Sequence, residues 1–315
     1  MRTGGVRAES VSRLHTVSYL FRRGEVGANV RAMWREQFSV PGDLGELAGY
    51  RAGAGPRVLV LHGGPGLSMD YLDGLVDELY GRYEVAVFQQ RGLAPSTENG
   101  PFTVARAVAD VAAVLTALGW ERSLLLGHSW GGHLAMHVAV SRPELLSGVV
   151  ALDPLGAADD GGLAAFGEAL TARAAPERRT RLAELHALPD EEATEADHLE
   201  LLDIVWQGYF ANPALAGPLP STRASPAASA GLWADLVPLM PTLAVGLSAV
   251  ELPMSFIGCT GSPIPVEAVR HTADLAPHAE LEVLEGVGHF PWLEQKGLVV
   301  AAVDRLARRA DMIPT

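Results

Sequence analysis

Short apolar runs recur along the chain, separated by stretches with helical spacing. Val58–Leu61, Val85–Phe88, Leu124–Leu126, Val149–Leu152, Met254–Ile257 and Leu281–Leu284 are the clearest runs. Runs this short and this apolar suit strands buried on both faces. Residues 105–118 and 132–140 instead repeat their apolar positions every three or four residues, which predicts helices. From about residue 37, strands alternating with helices predict βαβ units and a mostly parallel sheet. Right-handed crossovers then place helices on both faces of that sheet.

The alternation stops after Asp153 and resumes at Leu252. Between them no segment has a strand pattern. Helices are predicted over 163–174, 176–187, 196–209 and 231–239, with a Pro/Ala/Ser-rich loop over 211–230. The chain therefore divides into an extension (1–30), a first part of an α/β core (31–154), an inserted helical cap (155–248) and a second part of the core (249–315). The extension carries Arg2, Arg7, Arg13, Arg22 and Arg23 among scattered glycines and is expected to be loosely ordered, with Met33 as an alternative start. There are no internal repeats.

The strongest chemical signal is Gly127-His128-Ser129-Trp130-Gly131-Gly132. It fits G-x-S-x-G, with a strand run before it and a helix pattern after it, which is the context this motif needs. A sharp strand-to-helix turn would present Ser129 on strained backbone at a helix N-terminus, where N–H groups face a developing anion. Ser129 is the expected nucleophile, and His128 within the turn is a candidate substrate contact. His62-Gly63-Gly64-Pro65-Gly66 directly follows the first strand run. A glycine-rich loop there can bring a backbone N–H to a substrate carbonyl, so Gly64 and Trp130 are the expected oxyanion donors. The third signal is Gly286-Val287-Gly288-His289, a histidine in a glycine-flanked loop after the last strand run. Such a loop suits a general base that must reach Ser129. His186, His198, His271 and His278 lie in polar segments and are read as solvated.

Composition narrows the setting. The 315 residues suffice for one large α/β domain with an insertion. A net charge of −13 disfavours nucleic acid and anionic membranes as partners. The single cysteine, Cys259, forbids an intrachain disulfide, which fits a reducing compartment, and it follows a strand run where a small buried residue is expected. Residues 1–30 lack a secretory h-region, and no stretch reads as a membrane span. A cytoplasmic protein acting on a small molecule is expected, with homo-oligomerisation left open. No cysteine/histidine ligand spacing and no P-loop or dinucleotide fingerprint occur, so no metal or cofactor is expected.

At this point the motifs resemble a known family, the proline iminopeptidase branch of the α/β-hydrolase superfamily. The resemblance covers roughly residues 37–310 and rests on His62 to Gly66, on Gln89-Gln90-Arg91-Gly92 to Ser96, on the serine turn and on the loop around His289. It implies the α/β-hydrolase fold, a parallel sheet flanked by helices with an inserted helical cap. Three departures matter. The family usually reads D-Q-R-G where this chain has Gln89-Gln90-Arg91-Gly92, a change read as structural. Its catalytic acid lies after strand seven in a pattern like G-x-x-D-x-x-x-P, and here that aspartate position holds Gly261, followed by Ser262. Neither residue can charge-stabilise an imidazolium. Asp153 ends the Val149–Leu152 run, where haloalkane dehalogenases place their acid, and it is the expected replacement. Finally, an iminopeptidase needs carboxylates to hold a free amino group. Glu200, Asp203 and Asp235 are candidates, although no cap motif marks them. Trp206, Tyr209, Phe210 and Trp233 suggest instead an aromatic lining for the substrate.

The expected chemistry is acyl transfer from a small-molecule ester or amide to Ser129, with His289 as base and Asp153 as acid. Epoxide-hydrolase and dehalogenase chemistry needs a carboxylate where Ser129 stands. A cyclase, lyase or bond-forming biosynthetic enzyme on the same scaffold is the alternative, and a catalytically inactive binding protein is a third class.

Overall fold

The computed structural model describes residues 35–42 and 44–314. The extension over 1–30 and Met33 lie outside the described residues. Eight strands form one sheet in the order β1-β2-β4-β3-β5-β6-β7-β8. They are β1 Glu36–Gly42, β2 Gly45–Ala52, β3 Arg57–Leu61, β4 Glu84–Phe88, β5 Ser123–His128, β6 Leu146–Leu152, β7 Met254–Cys259 and β8 Ala279–Leu284. From β4 to β8 every neighbouring pair is parallel, while β1 and β2 form an antiparallel edge. The α/β-hydrolase architecture read from the motifs is the one observed.

Ten helices accompany the sheet among the described residues. They are α1 Asp73–Leu79, α2 Val104–Ala117, α3 Trp130–Ser141, α4 Leu163–Arg173, α5 Arg179–His186, α6 Glu195–Val205, α7 Pro226–Leu247, α8 Val266–Ala273, the single turn α9 Pro291–Glu294, and α10 Leu298–Arg309. Side chains alternate across a strand, and the two faces of the sheet bury two separate cores. Leu59, Leu61, Leu125, Val149, Ala151 and Phe256 join α2, α3 and α7 on one face. Val58, Val60, Leu124, Leu126, Val150 and Ile257 join α1 and α10 on the other. This is why the runs are apolar without alternation. In α10, Val299, Ala302, Val303 and Leu306 recur at helical spacing and form the stripe that packs on the sheet.

Between β6 and β7 the insert consists of α4 to α7. Its parts differ in how they pack. Leu170, Ala174, Leu182, Leu185, Ile204 and Val205 form a small core of their own between α4, α5 and α6. The last helix, α7, belongs to the main core through Leu232, Leu236, Met240, Leu243 and Leu247. It begins at Pro226, inside the segment read as loop, and runs to Leu247 despite Pro238 and Pro241. Ser225 caps it by accepting the Ala228 N–H, and proline at the first helical position has no N–H to lose. One reading is corrected here. This 22-residue helix is long and apolar enough, by length and composition alone, to cross a membrane. In the fold its leucine stripe faces the core.

The chain moves from β3 outward to β4, then returns past β3 to β5. At such a switch point the loops leaving the carboxyl ends of neighbouring strands diverge and open a crevice. The loops after β3 and β5 are the His62–Gly66 loop and the serine turn.

Candidate active site at the carboxyl edge of the sheet

Ser129 follows β5 and caps α3, with φ 56° and ψ −122°. A left-handed φ at a non-glycine residue is strained and persists only where its surroundings enforce it. Enforcement comes from close packing. A Cβ at Gly127 would lie 2.0 Å from the Gly131 carbonyl oxygen, and one at Gly131 would lie 2.3 Å from that of Leu61. Only bare backbone lets strand, turn and helix approach this closely. The Ser129 N–H donates to Leu152 O at 2.9 Å, which ties the turn to the end of β6. As the first residue of α3, Trp130 has an N–H with no acceptor inside the helix.

Asp153 follows Leu152 directly, fully buried and at φ 45°. Its N–H donates to Ile257 O at 2.7 Å, continuing the ladder beyond β6. Its Oδ2 accepts the Nδ1–H of His289 at 2.5 Å, so two residues separated by 136 positions meet beyond the end of β6. Burial is the largest influence on both groups. It raises the Asp153 carboxyl and lowers the His289 imidazole, leaving a neutral ring whose free nitrogen is Nε2. His289 itself is 3% exposed. The Tyr209 carbonyl accepts its N–H at 2.7 Å, and the Tyr209 ring stacks on the imidazole at 5.1 Å. Glu294 accepts the preceding Gly288 N–H at 2.7 Å. The His289 segment is thus fixed from three sides.

The His62–Gly66 loop lies against the serine turn, since a Cβ at Gly63 would sit 3.0 Å from Ser129 Cβ. Gln89 and Gln90 hold it there. Gln89 Nε2 donates to Leu67 O at 3.2 Å, and its Oε1 accepts the Met69 N–H at 3.0 Å. Gln90 Nε2 donates to His62 O at 2.8 Å, while its Oε1 accepts the Trp130 indole N–H at 2.9 Å. The departure from D-Q-R-G is therefore a scaffold change. A neutral amide at residue 89 both donates and accepts, which a carboxylate cannot do. Gly64, at φ +130°, lies within this loop.

His128 requires a correction. It is 1% exposed, and both ring nitrogens are engaged by the protein. The His289 carbonyl can only accept, so neutral His128 carries its proton on Nε2, and Tyr71 Oη, which accepts the Gly63 N–H at 2.5 Å, donates to the bare Nδ1 at 2.9 Å. His128 Nε2–H then donates to His289 O at 2.8 Å. This one-way chain joins the glycine loop, the serine turn and the loop that carries His289. Burial holds His128 well below the usual histidine range, so it stays neutral. It is a strut behind Ser129, with no nitrogen free for substrate.

Two further aromatic assignments change. Trp206 and Phe210 are buried against each other and against Phe290, and the Trp206 indole donates to Ala216 O at 3.2 Å. They pack the join between insert and sheet. Tyr209 touches His289, as above, and Trp233 is half-buried against the main core. The three carboxylates considered for an amino group are committed elsewhere. Glu200 pairs with Arg181 at 2.7 Å, Asp203 with Arg178 at 2.8 Å, and Asp235 accepts the Val104 N–H at 2.7 Å at the start of α2. Cys259 is buried, and burial pushes its thiol up, which makes it a poor nucleophile.

Sequence reasoning set Ser262 aside as no acid and saw no role for its hydroxyl, which lies 2.5 Å from Asp153 Oδ2, and it missed the buried pair His133 and His137 on α3, with ring nitrogens 3.3 Å apart. A lone serine gives no signal until its neighbours are known. The histidine pair does have one: a spacing of four residues within the segment predicted as a helix over 132–140.

A strained serine between strand and helix, with a carboxylate–imidazole pair at the same sheet edge, defines the hydrolase class of α/β folds. The sequence profile of the alpha/beta hydrolase family matches residues 58–303, and the chain belongs to that family. It is 35% identical over 97 residues to a proline iminopeptidase of Thermoplasma volcanium, covering 30% of this chain and 33% of that protein. It is 29% identical over 101 residues to epoxide hydrolase 4 of Mus musculus, covering 31% and 28%. The chain thus spans about a third of these curated relatives. The crystal structure of proline iminopeptidase from Mycobacterium smegmatis superposes with a TM-score of 0.64 at 23% identity, covering 88% of this chain and 99% of that one, a likeness of fold.

Proposed function

We propose that the protein is a serine hydrolase that cleaves a small-molecule ester or amide through an acyl-enzyme on Ser129. The observation that carries this reading is the 2.5 Å contact between His289 Nδ1 and Asp153 Oδ2 at the sheet edge that also holds Ser129. His289 Nε2 takes the Ser129 hydroxyl proton as Oγ attacks the acyl carbon, then gives that proton to the leaving group. Water repeats the cycle and releases the acid. Asp153 fixes the imidazole tautomer and stabilises the imidazolium formed in each half-reaction. The Gly64 and Trp130 N–H groups hold the oxyanion, aided by the N-terminal end of α3. The relationship to epoxide hydrolase 4 does not carry over its chemistry, because a serine here stands where a carboxylate nucleophile is needed. The commitment of Glu200, Asp203 and Asp235 to other partners favours esters or acylated amides over peptides with a free amino terminus.

The test is covalent labelling by a fluorophosphonate probe, read by mass spectrometry, with Ser129→Ala as control. Wild type should label at Ser129 and the variant should not. Folded wild-type protein that stays unlabelled would remove the reading. Panels of p-nitrophenyl esters and proline arylamides then divide esterase from aminopeptidase.

A further inference from the structure

We propose that Ser262 is a positioning residue of this site, whose hydroxyl keeps the Asp153 carboxylate ionised and aimed at His289. The inference rests on the serine-hydrolase reading and adds a fourth side chain to it.

The direction of the hydrogen bonds carries the case. A serine hydroxyl has a single proton. The Ile264 N–H donates to Ser262 Oγ at 3.1 Å, so that N–H occupies one lone pair. The hydroxyl proton is directed to Asp153 Oδ2 at 2.5 Å. His289 Nδ1 donates to the same oxygen at 2.5 Å, and the Cys259 N–H donates to Oδ1 at 3.1 Å. Asp153 therefore meets donors on both oxygens. An ionised carboxylate, which only accepts, matches that surrounding, whereas a protonated one would press its own hydrogen against groups already donating.

The surroundings make the hydroxyl matter. Asp153 is fully buried, and burial drives its carboxyl toward the neutral form, with Ser262 the largest opposing influence. The other titratable or charged groups facing it are His289 from the loop after β8, His128 from β5, Cys259 from β7 and Arg173 from α4. Glu294 acts on Cys259 from α9. Arg173 holds the Ser262 turn in place by donating to the Gly261 carbonyl at 2.7 Å and the Ser262 carbonyl at 3.0 Å. Steric room explains why a hydroxyl stands here with the carboxylate elsewhere. A Cβ at Gly261 would lie 2.3 Å from Ala211 Cβ of the insert, so no acidic side chain fits there. Ser262, one residue on, supports a carboxylate that arrives from β6.

Two readouts on the intact protein test this. The first is the His289 Nδ1 proton, followed by NMR of 15N-histidine-labelled protein as pH is varied, which reports Asp153 ionisation whether or not Ser129 reacts. Ser262→Ala should move its titration upward by about one pH unit, the scale of a lost hydrogen bond to a charge. Ser262→Thr, which keeps the hydroxyl, should restore the wild-type midpoint and separate the lost bond from misfolding. An Ala variant that titrates like wild type would overturn the proposal. The second readout is the rate of fluorophosphonate labelling at pH 7. Ser262→Ala should slow it about tenfold in wild type, as a one-unit shift implies, and by less than twofold in an Asp153→Asn background. Equal losses in both backgrounds would also overturn it. Absence of labelling in wild type, with the NMR shift present, would instead remove the hydrolase reading and leave the Ser262–Asp153 coupling standing.

Discussion

The sheet edge and the insert satisfy their polar side chains in opposite ways. At the edge, Asp153, His289, His128, Gln89 and Gln90 are buried and bonded to neighbouring backbone or to each other. In the insert, Arg181 pairs with Glu184 and Glu200, and Arg178 with Asp203, across exposed helix faces. A hydrogen bond in a water-excluded edge is strong, and costly to leave unmade. An exposed ion pair contributes little. The buried groups are therefore locked by the sheet, while α4, α5 and α6 rest on a small core of their own.

The contrast can be broken most severely at Asp153. Asp153→Asn should lower acyl transfer by about 10⁴, the scale found when the acid of such a triad becomes an amide, while circular dichroism stays native. Acid gives the next largest effect. Burial holds His62 and His137 near pKa 4 and His133 near 3, with His128 also well below the usual value. Because these folded values lie below the unfolded value of about 6.5, the unfolded chain binds the extra protons. Stability should be complete above pH 6.5 and fall as pH drops toward 4, by several kcal/mol in sum. Asp153, shifted upward, has the opposite sign, but five buried histidines, His289 among them, are shifted the other way. Urea midpoints across pH 4–8 check this, and a flat profile would contradict the burial of these rings.

Leu182→Ala empties part of the insert's own core, where Leu182 is 1% exposed. It should cost about 2–4 kcal/mol, seen as faster hydrogen exchange over α4 to α6 with β5 and β6 still protected. Tyr71→Phe should cost about 1–3 kcal/mol by stranding the Gly63 N–H and His128 Nδ1. It should also slow Ser129 labelling, which a purely structural role for Tyr71 would leave alone. Arg181→Ala should leave the melting temperature unchanged, and a clear drop would show that the insert's surface pairs matter more than their exposure suggests.

Most of the sheet was legible because β3 to β7 are buried on both faces, which leaves short and nearly uninterrupted apolar runs. The hairpin β1–β2 was not. In Glu36–Gly42 only Phe38 and Val40 are buried, and the strand carries a proline and a glycine, as an edge strand can. Ser129, Asp153 and His289 were singled out because each follows a strand, β5, β6 and β8, and strand ends share one rim. His128 was misassigned because adjacency to Ser129 in sequence does not say which way a ring points. In a strand, successive side chains face opposite sides, and His128 turns toward Tyr71 and Phe290. Trp206 and Phe210 were taken for lining because aromatic residues suit both a pocket and a packed seam, and only the contact with Phe290 decides between them.

The chain from Gly63 through Tyr71 and His128 to His289 has a mechanical consequence. A phenol and an imidazole clasp three loops from three strands, so displacing one drags the other two. Under the proposed function, a ligand arriving here meets a seat already set.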